Sequence, residues 1–270
     1  ARSEVELAET IARRFPEAYL TTEQMRSALR VLDYSYFTAT NRSRFGGTPL
    51  IELDDEGRRV QLSEAFCAML SDNRTFRIFF ADTIRCGLMV CREMFERARV
   101  GRWVFDRGFL YEQKYKLADV MRLLGWSDEM NGQNVGGYFC HKASGTMPIF
   151  VKYANSQYDD RFLGLQEMRY FSKNNRTEDS PEFQWMKYGY GTEAWQEDHF
   201  IPLFVMRKEE SDEAKYYYVG HIAVVNDLHT ITRKTEGDGG ATVNLAVANL
   251  RLARPLDPEL FRHLTGMATS

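Results

Sequence analysis

The sequence predicts an α+β chain: a helical, winged-helix-like N-terminal part followed by a mostly antiparallel β-sheet or partly closed barrel. Three observations carry that expectation. Apolar residues recur at three- and four-residue steps as far as Leu124, the period of helices buried on one face. From about residue 136 apolar and polar residues alternate instead, and Val, Ile, Tyr and Phe crowd the alternating runs, as half-buried strands require. With 44% hydrophobic and 27% charged residues in 270, the composition is that of a globular protein, and fibrous or wholly disordered classes drop out. The change of period suggests two domains, a helical 1–107 and a β-rich 108–270.

The elements follow in order. Val5, Leu7, Ile11, Ala12 and Phe15 keep helical spacing up to Pro16, and Thr22 caps a second helix that turns Met25, Leu29 and Leu32 inward. Past Gly46-Gly47, Pro49–Leu53 and Arg59–Leu62 read as a hairpin joined by Asp54-Asp55-Glu56-Gly57. Helices followed by a hairpin are common in DNA-binding modules, although a helical packing domain gives the same pattern. Ser63 caps a short helix over Glu64–Leu70, and Asp72 or Asn73 caps a long one running towards Glu96. Its Phe76, Phe79, Phe80, Ile84, Leu88, Cys91 and Phe95 form one apolar stripe, read as core. A further helix spans about Tyr111–Leu124, stopped by Gly125. Strands are expected at Tyr138–His141, Met147–Tyr153, Leu165–Phe171, Phe200–Met206, Tyr216–Val225, His229–Thr232 and Val243–Leu252. Thr235–Gly240 reads as a hairpin tip and Pro258–Leu264 as a closing helix.

Much chemistry is absent. No run approaches the roughly 18 uncharged apolar residues of a membrane helix, and ARSEVELAETIARR has no signal-peptide core, so a soluble cytoplasmic protein is expected. The first residue is not Met, which reads as a piece of a longer polypeptide. Cys67, Cys86, Cys91 and Cys140 are too few and too irregular for a disulfide framework, and no Cys-x-x-Cys pair indicates zinc. No glycine-rich loop ends in Gly-Lys-Ser/Thr, so the chain is not by itself a P-loop motor. Gly-x-Ser-x-Gly, His-Glu-x-x-His and Gly-x-Gly-x-x-Gly are missing too. The expectation is a non-catalytic chain with no catalytic residue, no metal and no cofactor.

Charge points elsewhere. The net −3 hides an imbalance: residues 1–126 hold 20 Lys+Arg against 18 Asp+Glu, and the remainder 15 against 20. Of those 20 cations 18 are Arg, the fork-shaped partner of phosphate or carboxylate. Arg99, Arg102 and Trp103 lie in RARVGRWVFDRG, where guanidinium groups alternate with rings able to stack on bases; a solvated linker is the competing reading. A second candidate contact comprises Tyr158, Arg169, Tyr170, Ser172, Lys173, Asn174 and Arg176, with Arg207 and His221 on other strands. Arg and Lys neutralise phosphates, Tyr stacks, and Asn or Ser bonds to bases or backbone. Residues 158–180 nevertheless carry four cations against five acids, which suits recognition of shape or of a modified base in a pocket better than a phosphate carpet. Simple strand alternation is the competing reading of Tyr170 and Phe171. His221 and His229, read as meeting across a hairpin, imitate a metal or acid–base cluster with Asp198 or Asp227, and His199 with His221 and nearby acids carries an alternative reading as a metal-dependent hydrolase.

One series of segments goes beyond composition. KLADVMRLLGW, GGYFCHK, the block Glu167 to Gln184, Leu203-Phe204-Val205-x-Arg207 and an aromatic strand ending in Gly220 follow one another in an order that resembles an uncharacterised domain found after the motor core of bacterial DEAD/DEAH-type helicases. Those longer proteins often carry a phospholipase-D-type nuclease domain. The likeness covers about residues 108–265. It implies an accessory DNA-recognition module, with DNA and a helicase motor domain on the same chain as partners and a role in defence against foreign DNA. The chain departs from the pattern after Glu167, where Met168-Arg169-Tyr170-Phe171-Ser172 replaces a Phe-His-Trp-Gln-Ser style run. A protein-interaction domain packing on the motor is the alternative without nucleic acid.

Overall fold

The computed structural model describes residues 1–14, 22–44, 47–54, 59–99, 105–130, 137–153, 159–187, 198–234 and 240–266. They form two compact units, one of residues 1–104 with 121–130 and one of 105–120 with 131–270. The class is α+β, helical first and then a large mixed sheet.

In the first unit, β1 (Arg2–Ser3), α1 (Glu4–Arg14), α2 (Thr22–Leu32) and α3 (Ala39–Arg44) precede the hairpin β2 (Ile51–Leu53) and β3 (Arg59–Leu62). The hairpin pairs Ile51 with Leu62 and Leu53 with Val60, and β1 adds to its far edge. The apolar face of α2 explains why it docks here: Met25 and Leu29 meet Ile51, with Leu7, Ile11, Leu53 and Val60 around them. Residues 121–130 join this unit through Glu129, whose carboxylate accepts from Asn41 Nδ2 at 2.8 Å and from Thr38 N at 3.0 Å. The turn expected at Asp54–Gly57 falls mostly outside the described residues, as does most of the tip at Thr235–Gly240.

Two of the expected helix caps stand where the sequence puts them, while Thr22 lies inside α2 as its first residue. Ser63 Oγ accepts from Phe66 N at 3.1 Å to start α4 (Glu64–Asp72), and Asn73 Oδ1 accepts from Phe76 N at 2.9 Å to start α5 (Arg74–Arg99). The apolar stripe of α5 is a correction. Phe76 and Phe80 pack on Phe66 with ring centroids 6.1 and 5.1 Å away, but Phe79 is 67% exposed, and Ile84, Leu88 and Cys91 are exposed too. Periodicity reports which residues share a face; it does not report whether another element covers that face.

In the second unit, β4 (Phe105–Asp106) and β5 (Phe109–Leu110) form a small ribbon, followed by β6 (Lys114–Lys116) and α6 (Leu117–Leu123). The helix expected from Tyr111 is shortened because Lys114–Lys116 pair with Lys215–Tyr217, a tertiary contact that overrides local helical preference. The main sheet runs β7 (Ile149–Tyr153), β10 (Pro202–Arg207), β11 (Lys215–Lys234), β12 (Thr242–Leu252), β9 (Glu167–Phe171), β8 (Arg161–Gly164). β7 and β10 are parallel and the other pairs antiparallel. The segment 138–141 makes only isolated bridges, and β8 is a strand the alternation does not announce.

Two expected strands are one. β11 runs unbroken through 20 residues, pairing first with β10 and then with β12, and bulges at Ile222/Val224 and Asn226/His229 bend it, which curls the sheet into a half-barrel. Its concave face holds Met168, Tyr170, Ala246, Ala248 and Leu250. Phe183 and Met186 of α7 (Pro181–Lys187) and Leu260 and Phe261 of α8 (Pro258–Thr265) pack in the same core. A separate aromatic cluster joins Phe109 and Tyr115 to Phe150, Phe204 and Tyr218. Gly220 sits at φ 125° with the Tyr111 ring against it, 3.1 Å from where a Cβ would stand. Gly220→Val is expected to open that contact and lower the thermal midpoint by several degrees, at about 2–4 °C per kcal/mol for a chain of this size.

Candidate nucleic-acid interface

Strand alternation decides which β9 residues are available. Met168 and Tyr170 are 0% and 3% exposed and face the core, so Glu167, Arg169 and Phe171 take the opposite face. Register then builds a row across the sheet: Arg161 of β8 stands opposite Arg169, Arg169 opposite Asn249 of β12, and Asn249 opposite Asn226 of β11. Like charges placed directly across a strand pair repel. Among the described residues Arg161 pairs with Asp159 at 3.3 Å, with both side chains at least half exposed, so the pair is weak. Among the described residues no ion pair joins Arg169. Asn249 Oδ1 is buried with no hydrogen-bond partner among the described residues. Two arginines standing directly opposite each other across a strand pair can take an anion between their guanidinium groups.

Three acids near this region are held by other groups. Glu182 and Glu178 are tied down: Glu182 Oε1 accepts from Tyr138 OH at 2.9 Å and lies 2.8 Å from Arg176 Nε, and Glu178 Oε2 accepts from Thr230 Oγ1 at 2.9 Å. Asp160 is half-buried and accepts from Phe171 N at 2.8 Å; burial pushes its carboxyl up to about 7, outweighing that hydrogen bond, and the charge of Asp159 adds to the rise.

The other candidates scatter. Arg102, Trp103 and Tyr158 lie outside the described residues, and so does the side chain of Arg99. Tyr170 packs edge-on to Tyr138 in the core. Ser172 is 1% exposed; its hydroxyl donates to Lys173 O at 2.9 Å and accepts from Ala246 N at 2.8 Å, lacing the end of β9 to β12. Lys173 donates to Tyr138 O at 2.9 Å above the Tyr138 ring, and burial with Arg176 nearby pulls its pKa down. Asn174 is half-buried in the turn that follows. Arg207 pairs with Glu209 at 3.2 Å, and half-buried His221 lies 5.7 Å from the Phe200 ring. Arg207 sits on β10, three strands or about 14 Å from β9, so it does not join Arg169. His221 and His229 do not face each other either: both lie on β11, eight residues or roughly 25 Å apart along the strand. Among the described residues no three His, Cys, Asp or Glu converge as metal ligands.

Sequence reasoning missed Arg161 and Asn249, which only register brings to Arg169. It also missed a cavity of about 860 Å³ lined by Lys142, Gly145, Gln184, Trp185, Asp198 and His199 among others. The Trp185 and His199 rings lie 4.2 Å apart at 31°, and His199 Nε2 donates to Trp185 O at 3.0 Å.

Comparison with known proteins adds two families. Residues 109–264 match a domain of unknown function, DUF3427, and residues 2–94 match another, DUF8090. No curated protein matches the chain. One similar solved structure is the sulfur binding domain and SRA domain of ScoMcrA complexed with phosphorothioated DNA, at 14% identity and a TM-score of 0.33. The likeness covers 60% of this chain and 47% of that one, so the chain spans about half the length of its relative. No described helix is long and apolar enough to cross a membrane.

Proposed function

We propose, from the premise that this chain belongs to the DUF3427 family, that it is a DNA-recognition module whose β-rich unit takes the sugar–phosphate backbone at the Arg161–Arg169 pair of β8 and β9. One observation carries the reading: Arg161 and Arg169 stand opposite each other in register, with Asn249 on the flank. An anion between the two guanidinium groups converts their repulsion into two charge-assisted contacts. Phosphate contacts position a strand without reading it, so this pair supplies affinity more than sequence choice.

Titrating labelled single-stranded and duplex DNA against the chain at two salt concentrations tests the proposal. Arg161→Ala with Arg169→Ala is expected to weaken binding about tenfold or more and to flatten the salt dependence by close to two phosphate contacts. A wild-type chain that binds neither form saturably sinks the reading. The sequence resemblance extends the proposal to a longer chain in which the module serves a helicase motor during defence against foreign DNA; there the double variant is expected to slow duplex unwinding by that longer protein.

A second reading has its own support. Ile78, Phe79, Met89 and Val90 of α5 are 48%, 67%, 63% and 45% exposed and fall within about a third of the helix circumference, one apolar face suited to a protein partner. Phe79→Glu with Met89→Glu is expected to abolish any concentration-dependent association seen by sedimentation while leaving DNA affinity unchanged.

A further inference from the structure

We infer that the cavity beside Trp185 holds one unpaired nucleobase bearing an exocyclic amino group; the inference rests on the DNA reading for where that base comes from, and on the cavity itself for its chemistry.

The walls are built by close backbone approach. A 3-10 turn, Lys142–Ser144, ends in Gly145 at φ 61°, and a Cβ there would overlap the Asp198 carbonyl oxygen. Phe200 N donates to Gly145 O at 2.8 Å and Met147 N to Phe200 O at 2.9 Å, which fixes the turn against residues 198–200. The opposite wall is α7, which contributes Gln184 and Trp185. Because a carbonyl oxygen can only accept, the bond to Trp185 O puts a proton on His199 Nε2 and locks the imidazole beside the indole. That stack makes a rigid aromatic wall for a planar ring.

The polar rim selects among rings. Gln184 Nε2 is already committed to Glu178 O at 2.9 Å, so its side-chain oxygen is the end left to accept. Asp198 is exposed and offers a carboxylate, also an acceptor. Two acceptors favour a ring edge that carries N–H donors, as cytosine, adenine and guanine do at their amino groups; thymine sets carbonyls there instead. Lys142, exposed at the mouth, supplies a cation for the phosphate attached to such a base. The volume, about 860 Å³, lies within the range of small-molecule sites.

The test compares dC and dT oligonucleotides of equal length, and dCMP and dTMP, by calorimetry on the whole chain. Wild type is expected to prefer dC over dT. Trp185→Leu is expected to lose about tenfold in dC affinity with its salt dependence unchanged, since stacking rather than charge is removed. Asp198→Ala, an exposed change that removes one of the two acceptors, is expected to weaken the dC preference several-fold. If both variants bind dC as wild type does while the Arg161/Arg169 variant is weakened, the cavity assignment is overturned and the DNA reading stands. If dCMP still binds at Trp185 but no oligonucleotide binds the wild type, the backbone contact at Arg161 and Arg169 is overturned and the cavity stands. Equal dC and dT affinity with no dCMP binding overturns the cavity assignment outright.

Discussion

Phe109→Ala is expected to destabilise the chain by about 3–5 kcal/mol, the range for deleting a buried aromatic ring. Phe109 is 0% exposed, and its ring centroid lies 5.3 Å from Tyr115, 5.3 Å from Phe204 and 5.2 Å from Tyr218. The ring therefore stitches β5 and β6 to the convergence of β10 and β11. Neighbours held by strand pairing cannot collapse into the space, so the cavity cost adds to the lost burial. Urea unfolding followed by circular dichroism measures it, and at an m-value of about 2 kcal/mol/M the midpoint falls by close to 2 M. Phe79→Ala is the control: with the ring 67% exposed, its effect is expected to stay within about 0.5 kcal/mol. A fall below about 1 kcal/mol for Phe109→Ala would show that the aromatic cluster does not hold the β-rich unit together.

Asp160→Asn is expected to do the reverse and stabilise the chain above neutral pH. With the carboxyl raised to about 7 in the folded chain, against an ordinary value near 4, the native state holds more protons than the unfolded one between those limits. Stability contributed by the protonated acid is complete below about pH 4 and is lost as pH rises to about 7, beyond which the penalty is constant. Three pH units correspond to at most about 4 kcal/mol, and water reaching the half-buried group brings the expected gain to about 1–3 kcal/mol. Asn keeps an oxygen for the Phe171 amide, so the hydrogen bond survives. Thermal midpoints from pH 4 to 9 should fall through the window for wild type and fall less for Asp160→Asn; parallel profiles would refute the assignment. The same protonation matters for binding, because a neutral Asp160 removes one negative charge from the region of Arg161 and Arg169.

Most helices and strands were legible because their causes are local. Ser63 and Asn73 cap the residues that follow them, and the alternation of β9 already sorts Met168 and Tyr170 from Arg169. The candidate site was legible only in part. Arg169 is visible as a cation on a strand, yet nothing near it in the chain announces Arg161 across one edge or Asn249 across the other. Ser172 reads as a polar group free to bind, and the fold gives both its hydrogen bonds to the backbone. Trp185 and His199 lie fourteen positions apart in the chain, with no shared motif.

By itself the sequence determined the class, the caps at Ser63 and Asn73, the inward and outward faces of the strands and the absence of a phosphate loop, since these depend on neighbours within one helical turn or one strand step. Tertiary structure alone decided that β11 is one bent strand, that α5 keeps Phe79 in solvent, which arginine faces which, and that Glu178 and Glu182 bond to Thr230, Tyr138 and Arg176. Those outcomes depend on pairing register and on what covers each surface, and both are settled by contacts between residues far apart in the chain, where local periodicity carries no information.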